Sequence, residues 1–138
     1  MTPASPSSHS TGLPLRVLAV LLIVWEPVSF AAVAASAFNA IGVRGWPVAL
    51  VLTVRLIAAA VGVAAGRAIL DHRPGALTLV RLALVSSALV RLVSDLTPWF
   101  PSNRMPGDTP IYVGWTLLYY GGWLLYVSRS RQVQALEN

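Results

Sequence analysis

Glu26 stands inside the run LAVLLIVWEPVSFAAVAASAF, Leu18 to Phe38, with Pro27 directly after it. A carboxylate in so apolar a stretch can pair with a buried cation, or it can take up and release a proton along a transport path. Further charges interrupt the later apolar runs: Arg55, Arg81, Arg91 and Asp95. Arg81, Leu84, Ala88, Arg91 and Asp95 follow a 3–4–3–4 spacing, which places them on one stripe of a helix. Ser87 and Ser94 flank that stripe. Arg91 and Asp95, four apart, can pair within the helix. Arg81 lies near a helix end, from which its guanidinium can extend to the interface.

Depth selects a partner for Glu26. At 1.5 Å of rise per residue, Glu26 lies roughly 20 Å in from Leu13, and Arg55 roughly 13 Å in from Trp46 on the returning helix. The two levels agree within a turn, so Glu26–Arg55 is the expected ion pair, with Arg91 as its competitor. Pro27 removes a backbone donor, which predicts a kink and a freed carbonyl beside the carboxylate. These charges can set helix register, or they can line an ion path or a ligand pocket.

The remaining motifs are less specific. Ala59, Gly62 and Gly66 share the face of Arg55, and GVAAG is a G-x-x-x-G that permits close backbone approach. It fits helix packing first, and a dimer face second. Tyr112, Trp115, Tyr119, Trp123 and Tyr126 form an aromatic stripe that suits core or lipid-facing surface better than a cage for an organic cation. His9 and His72 have no partner at ligand spacing, so neither a metal site nor a cofactor is expected. Cysteine is absent, which excludes disulfides, thiolate ligands and a cysteine nucleophile. No G-x-S-x-G, P-loop or H-E-x-x-H occurs, and no enzyme activity is expected.

These residues need elements to hold them. The chain has 138 residues, 56% hydrophobic and only 11% charged, where a soluble domain carries roughly 25% charge. Four apolar blocks, about 13–37, 46–70, 76–96 and 111–127, each approach the ~20 residues that cross a bilayer as a helix. The fold class expected is an all-α membrane protein, four transmembrane helices in an antiparallel up-down bundle over 13–130. Residues 1–12 read as a disordered Ser/Thr/Pro-rich tail and 131–138 as a short C-terminal tail. Arg16 and the A-x-A of AASAF resemble a cleaved signal peptide, but an apolar run of about 25 residues holding Glu26–Pro27 favours a retained helix.

Arginine placement sets orientation. One side holds Arg16, Arg67, Arg73, Arg129 and Arg131, and the other Arg44 and Arg104, which puts both termini in the cytoplasm. Trp46, Trp99 and Phe100 would then mark the outer interface. The net charge of +5 is dispersed with no dense basic run, so nucleic acid is not an expected partner. The expected partners are the lipid bilayer and a second copy or another membrane protein.

A four-helix chain with one glutamate in its first helix resembles the small multidrug resistance transporters. That resemblance implies a glutamate, here Glu26, that binds protons and cationic drugs alternately. Arg55, Arg81 and Arg91 depart from it, because cations within the helices would repel a cationic substrate. The reading from sequence is a non-enzymatic accessory, assembly or structural component of an inner (plasma) membrane. The alternative is a small oligomeric transporter or channel with Glu26 as its titrating carboxylate.

Overall fold

The computed structural model describes residues 12–98, 100 and 105–129. The expected tails at 1–12 (Gly12 apart) and 131–138, and the expected roles of Trp99, Arg104 and Arg131, lie outside the described residues. The described residues form four helices: α1 Leu13–Arg44, α2 Trp46–Leu70, α3 Ala76–Leu96 and α4 Thr109–Arg129. No strand occurs among the described residues. The first three helices are long and apolar enough to cross a membrane. Large apolar side chains such as Leu13, Phe38, Ile57 and Leu118 point outward all along the bundle, a surface that lipid suits and water does not.

The middle spans fall where the hydropathy blocks placed them. The first helix runs to Arg44 instead of ending near 37. Asn39 and Gly42 look like breakers but continue the helix, and the break contracts to Gly45, at φ 73° and ψ −154°. A residue with a Cβ is strained there, so the reversal into α2 needs glycine. The fourth helix begins at Thr109 and ends at Arg129, wider than 111–127; the Asp108 carbonyl accepts from Ile111 and Tyr112 to start its first turn. Between α2 and α3, His72 takes the left-handed conformation, φ 50°. Its N–H reaches the Ile69 carbonyl, and the Arg73 N–H reaches that of Ala68, so the end of α2 is closed by a Schellman pair.

Inside α1 the residues Leu21–Trp25 form a π-helical turn. The Glu26 N–H donates to the carbonyl of Leu21, five residues back. Pro27 explains this, because its ring crowds the carbonyl four residues earlier and offers no donor. The wider turn relieves the crowding without breaking the helix.

The helices pack in chain order, α1 on α2, α2 on α3 and α3 on α4. Gly66 meets Ala19 and Ile23, Gly62 meets Leu22 and Glu26, and Val48 and Val51 meet Ala37. As position rises along α2 it falls along α1, which makes them antiparallel. Ser87 and Arg91 of α3 meet Glu26 and Ser29 of α1 in ascending order, so α1 and α3 run the same way. Lipid offers no water to exclude between helices, so close contact and interhelical hydrogen bonds hold them. Gly66 is the tightest crossing: a Cβ built on it would lie 2.7 Å from Ile23 Cγ1 and 2.8 Å from the Ala19 carbonyl oxygen.

The bundle is closed at one end and open at the other. Toward the end carrying Leu13 and Arg129, Leu15, Leu18 and Leu22 join Leu77, Leu84, Tyr120 and Val127 in one core. Toward the end carrying Gly45, α1 and α4 face each other across a gap instead of packing. A smaller cluster of Ala37, Val48, Val51 and Phe100 caps that end. Phe100, expected to mark the interface, is therefore buried as part of this cap, whereas Trp46 is exposed. An Arg44 hydrogen bond to the Pro98 carbonyl, 3.2 Å, ties the connection after α3 to the end of α1.

Candidate functional site

Glu26 is the residue on which all four helices converge. It is only 7% exposed. The wide turn before Pro27 delivers it to the bundle interior, and Gly62 of α2 leaves room for its stem, with Glu26 Cγ 3.5 Å from where a Cβ would be. Its carboxylate accepts from the Tyr120 hydroxyl of α4 at 2.6 Å on Oε1, and from Ser87 Oγ of α3 at 3.5 Å on Oε2. The first of these is short and well suited to a carboxylate acceptor; the second is long and weak.

Hydroxyls from two other helices thus donate to Glu26, and Arg55, which depth and charge selected, lines the same small space. Arg55 lies nearby, with its guanidinium carbon 5.4 Å from the centre of the Phe100 ring. Arg91 reaches across from α3, where its Nη2 donates to Ser29 Oγ at 3.0 Å, and its guanidinium stands 5.9 Å from the centre of the Tyr120 ring. Ser29 Oγ in turn donates to the Glu26 main-chain carbonyl at 3.0 Å. Arg91, Ser29, Glu26 and Tyr120 form one connected polar chain linking α3, α1 and α4.

Three spaces adjoin that chain. The smallest, about 20 Å3, is lined by Glu26, Ser29, Arg55, Ser87 and Arg91 together with Phe30, Ala58, Ala59 and Val90. It has room for about one water, with enough polar partners to hold it. The largest, about 460 Å3, opens between α1 and α4 and is lined by Ser29, Ser36, Arg55, Arg91, Ser94, Asp95 and Thr116 among aromatic and aliphatic walls. Toward Tyr120 lies a further space of about 250 Å3, bounded by Leu21, Trp25, Arg91, Trp115, Thr116 and Tyr119. A volume of several hundred Å3 with apolar walls and a few polar groups is the usual form of a small-molecule site.

The predicted charges divide between these places. Arg55, Arg91 and Asp95 line the large cavity, while Glu26 sits on its inner side with Arg55 and Arg91 between. Arg81 lines neither space and stands about 15 Å from Arg91 along α3. Ala59 lines the small cavity, and Gly62 and Gly66 are spent on the crossing with α1. No group of three metal-ligating side chains comes together among the described residues.

Tyr120 is the functional residue that sequence reasoning missed. It lies off the expected aromatic stripe, whose members Tyr112 and Trp115 are exposed while Tyr119, Trp123 and Tyr126 are half-buried. The signal was available: Thr116, Tyr120 and Val127 share one face of α4, and they are its buried residues. A tyrosine on a buried face needs a partner for its hydroxyl, as Glu26 needs a donor.

No protein-family model matches this chain, and no curated protein or solved structure matches it.

Proposed function

We propose that the chain is a small four-span protein of a bacterial-type inner membrane, with both termini in the cytoplasm. In this reading it acts without catalysis, as an accessory or assembly component that holds a ligand or partner in the cavity between α1 and α4. The observation that carries the reading is the cavity of about 460 Å3, where Arg55, Arg91 and Asp95 are brought together on apolar walls. Charges at such depth are costly unless they are used to fix structure or to bind, and their opening onto a sizeable space supports binding. The orientation is supported by Arg16, Arg67, Arg73 and Arg129 at the closed end against Arg44 at the open end. For α4 as a span, the support is its 21 residues and its Trp and Tyr content, which suits a helix between lipid and protein.

The test is purification of the full chain in mild detergent, with native mass spectrometry of what accompanies it. A bound small molecule or partner chain that is lost in Val28→Trp, which fills the cavity wall, is the expected result. Bare chain in both proteins would count against the reading.

A second reading, a small oligomeric transporter, is favoured by one observation: the bundle is closed at one end and open at the other, with Glu26 and Tyr120 at the division. Here Glu26 would take up and release a proton as the open end changes. Flux in proteoliposomes that disappears in Glu26→Gln, with the folded state retained, is the outcome expected of a transporter.

A further inference from the structure

We infer that the outer seam between α2 and α3 holds an anionic phospholipid at the closed end of the bundle, with the phosphate on Arg67 and Arg73 and an acyl chain along the seam. The inference rests on the membrane placement proposed above and makes no use of the cavity between α1 and α4.

A space of about 370 Å3 lies where α2 turns back into α3. Ala64, Ala68, Gly75 and Ala76 line it, and their small side chains leave the room. Arg67, Asp71 and Arg73 stand on its side nearer the turn, while Ala64 and Leu79 lie about one helical turn deeper. Charge thus sits toward the membrane surface and apolar wall toward the bilayer interior, the order of parts in a phospholipid.

The balance of charge selects the sign of the headgroup. Two guanidinium groups and one carboxylate line the space, and Asp71 already pairs with Arg73 at 3.6 Å. The Arg67 side chain is exposed and makes no hydrogen bond or ion pair among the described residues. Its five donors suit phosphate oxygens, and Arg73 stands beside it with donors to spare. In the proposed orientation this end meets the cytoplasmic leaflet, and basic pockets between helices on that side suit anionic headgroups.

The seam supplies the place for the chain. Leu50, Val54, Ile57, Val61 and Ala64 share one face of α2, and Leu79, Leu82, Ser86, Leu89 and Val93 one face of α3. Ile57 and Leu82 are exposed along this run. Ser86 turns its hydroxyl to the Ala83 carbonyl at 3.0 Å, so it offers the seam no unmet donor. Farther on, an apolar groove of about 180 Å3 is lined by Leu50, Val51, Val54, Leu89, Val90 and Val93. From Ala64 to Val54 is about 15 Å at 1.5 Å per residue, half of the ~30 Å hydrocarbon layer and so the depth of one leaflet. A water-soluble anion would use the arginines and leave this seam bare.

The experiment uses the full chain, delipidated in mild detergent, with native mass spectrometry and thermal unfolding as readouts. Phosphatidylglycerol, phosphatidylcholine and free glycerophosphate are added in turn. Phosphatidylglycerol should remain bound and raise the unfolding temperature. Phosphatidylcholine, which carries its own cation, should do so less, and glycerophosphate should do little because it lacks the chain. Arg67→Gln should weaken phosphatidylglycerol by about tenfold or more, the usual loss for a charge-assisted hydrogen bond. Arg67 is exposed, so the fold should survive this change. Arg16→Gln removes a charge from the same end of the bundle, but on α1 and outside the lining of this space, and should have little effect. Equal weakening in the two variants would mean diffuse attraction to a basic end and would overturn the site. Equal response to phosphatidylcholine, or to glycerophosphate, overturns the anionic lipid as its occupant. Alkaline washing of membranes keeps the two levels apart. A chain that stays in the membrane pellet yet fails to bind phosphatidylglycerol sinks the site alone, and a chain released by the wash sinks the membrane placement as well.

Discussion

The Tyr120 hydroxyl stands 2.6 Å from Glu26 Oε1, and this hydrogen bond joins α4 to α1 at the point where their seam begins to open. Beyond it lies the cavity, and behind it the apolar core of the closed end. Tyr120 is 2% exposed, so the bond is shielded from the medium around the bundle.

Tyr120→Phe should therefore lower stability by about 1–2 kcal/mol, the upper range for interhelical hydrogen bonds in membrane proteins. Glu26→Gln should cost less, because the amide oxygen still accepts. In a double-mutant cycle read by unfolding in mixed micelles, the loss in the double mutant should fall short of the sum of the two single losses. Strict additivity would show that the pair does not interact.

The G-x-x-x-G positions should behave differently from each other. Gly62→Ala adds a methyl group in ordinary contact, 3.5 Å from Glu26 Cγ, whereas Gly66→Ala places one 2.8 Å from the Ala19 carbonyl oxygen. Backbone cannot move aside cheaply, so Gly66→Ala should cost about 1–3 kcal/mol and Gly62→Ala little or nothing. Equal melting shifts for the two would refute the placement of the crossing.

Gly45→Ala tests the reversal between α1 and α2. The backbone there, φ 73° and ψ −154°, is strained for any residue with a Cβ, at about 1–3 kcal/mol. Gly42→Ala, in regular helix with open space around it, should be neutral or slightly stabilising. The ranking of the two by thermal unfolding is the check.

Orientation is open to reporter fusions. Fusions after Pro74 and Asn138 should report the cytoplasm, and fusions after Gly45 and Gly107 the exterior. A C-terminal fusion that reads exterior would reverse the assignment of inside and outside.

Asp71→Asn provides a contrast. Its ion pair with Arg73 is 3.6 Å long and largely exposed, so removing it should change stability by less than about 0.5 kcal/mol. A loss like that of Tyr120→Phe would mean that the turn after α2 does more than connect.

How far the sequence was legible depends on the kind of signal. The limits 46–70 and 76–96 could be read because Trp46–Pro47 and DHRPG coincide with sharp changes in hydropathy. The end of α1 could not, since Asn39 and Gly42 are turn formers that a long apolar helix simply overrides. The charged residues were recognisable as a set, but not the hydroxyls of Ser29, Ser87 and Tyr120 that join them. Depth counting on straight helices gives level and not azimuth, and the π-turn rotates Glu26 in a way that no count of residues foresees. Charge complementarity pointed to Arg55 and gave no hint that hydroxyls from α3 and α4 also reach Glu26. Tyr120 was overlooked for a related reason: among six tyrosines and tryptophans on one helix, the fullest aromatic stripe passes beside the face that Tyr120 shares with Thr116 and Val127. The cavity had no signal in the sequence, because it arises where two helices part beyond their contact at Glu26 and Tyr120.

The wide turn at Leu21–Trp25 also governs how this segment can change over generations. A residue added to or removed from a helix rotates everything on one side of it by about 100°. Loss of one residue within this turn is different: closing to ordinary α-helical bonding takes it up and leaves Leu15, Leu18 and Ala19 on their core face, but it restores the crowding between Pro27 and the carbonyl four residues before it. Substitutions at Val24 or Trp25, which face outward, carry no such penalty. The segment is thus free in its spelling, while its extra residue is tied to Pro27, so the two should be kept or lost together while exchanges among apolar residues accumulate.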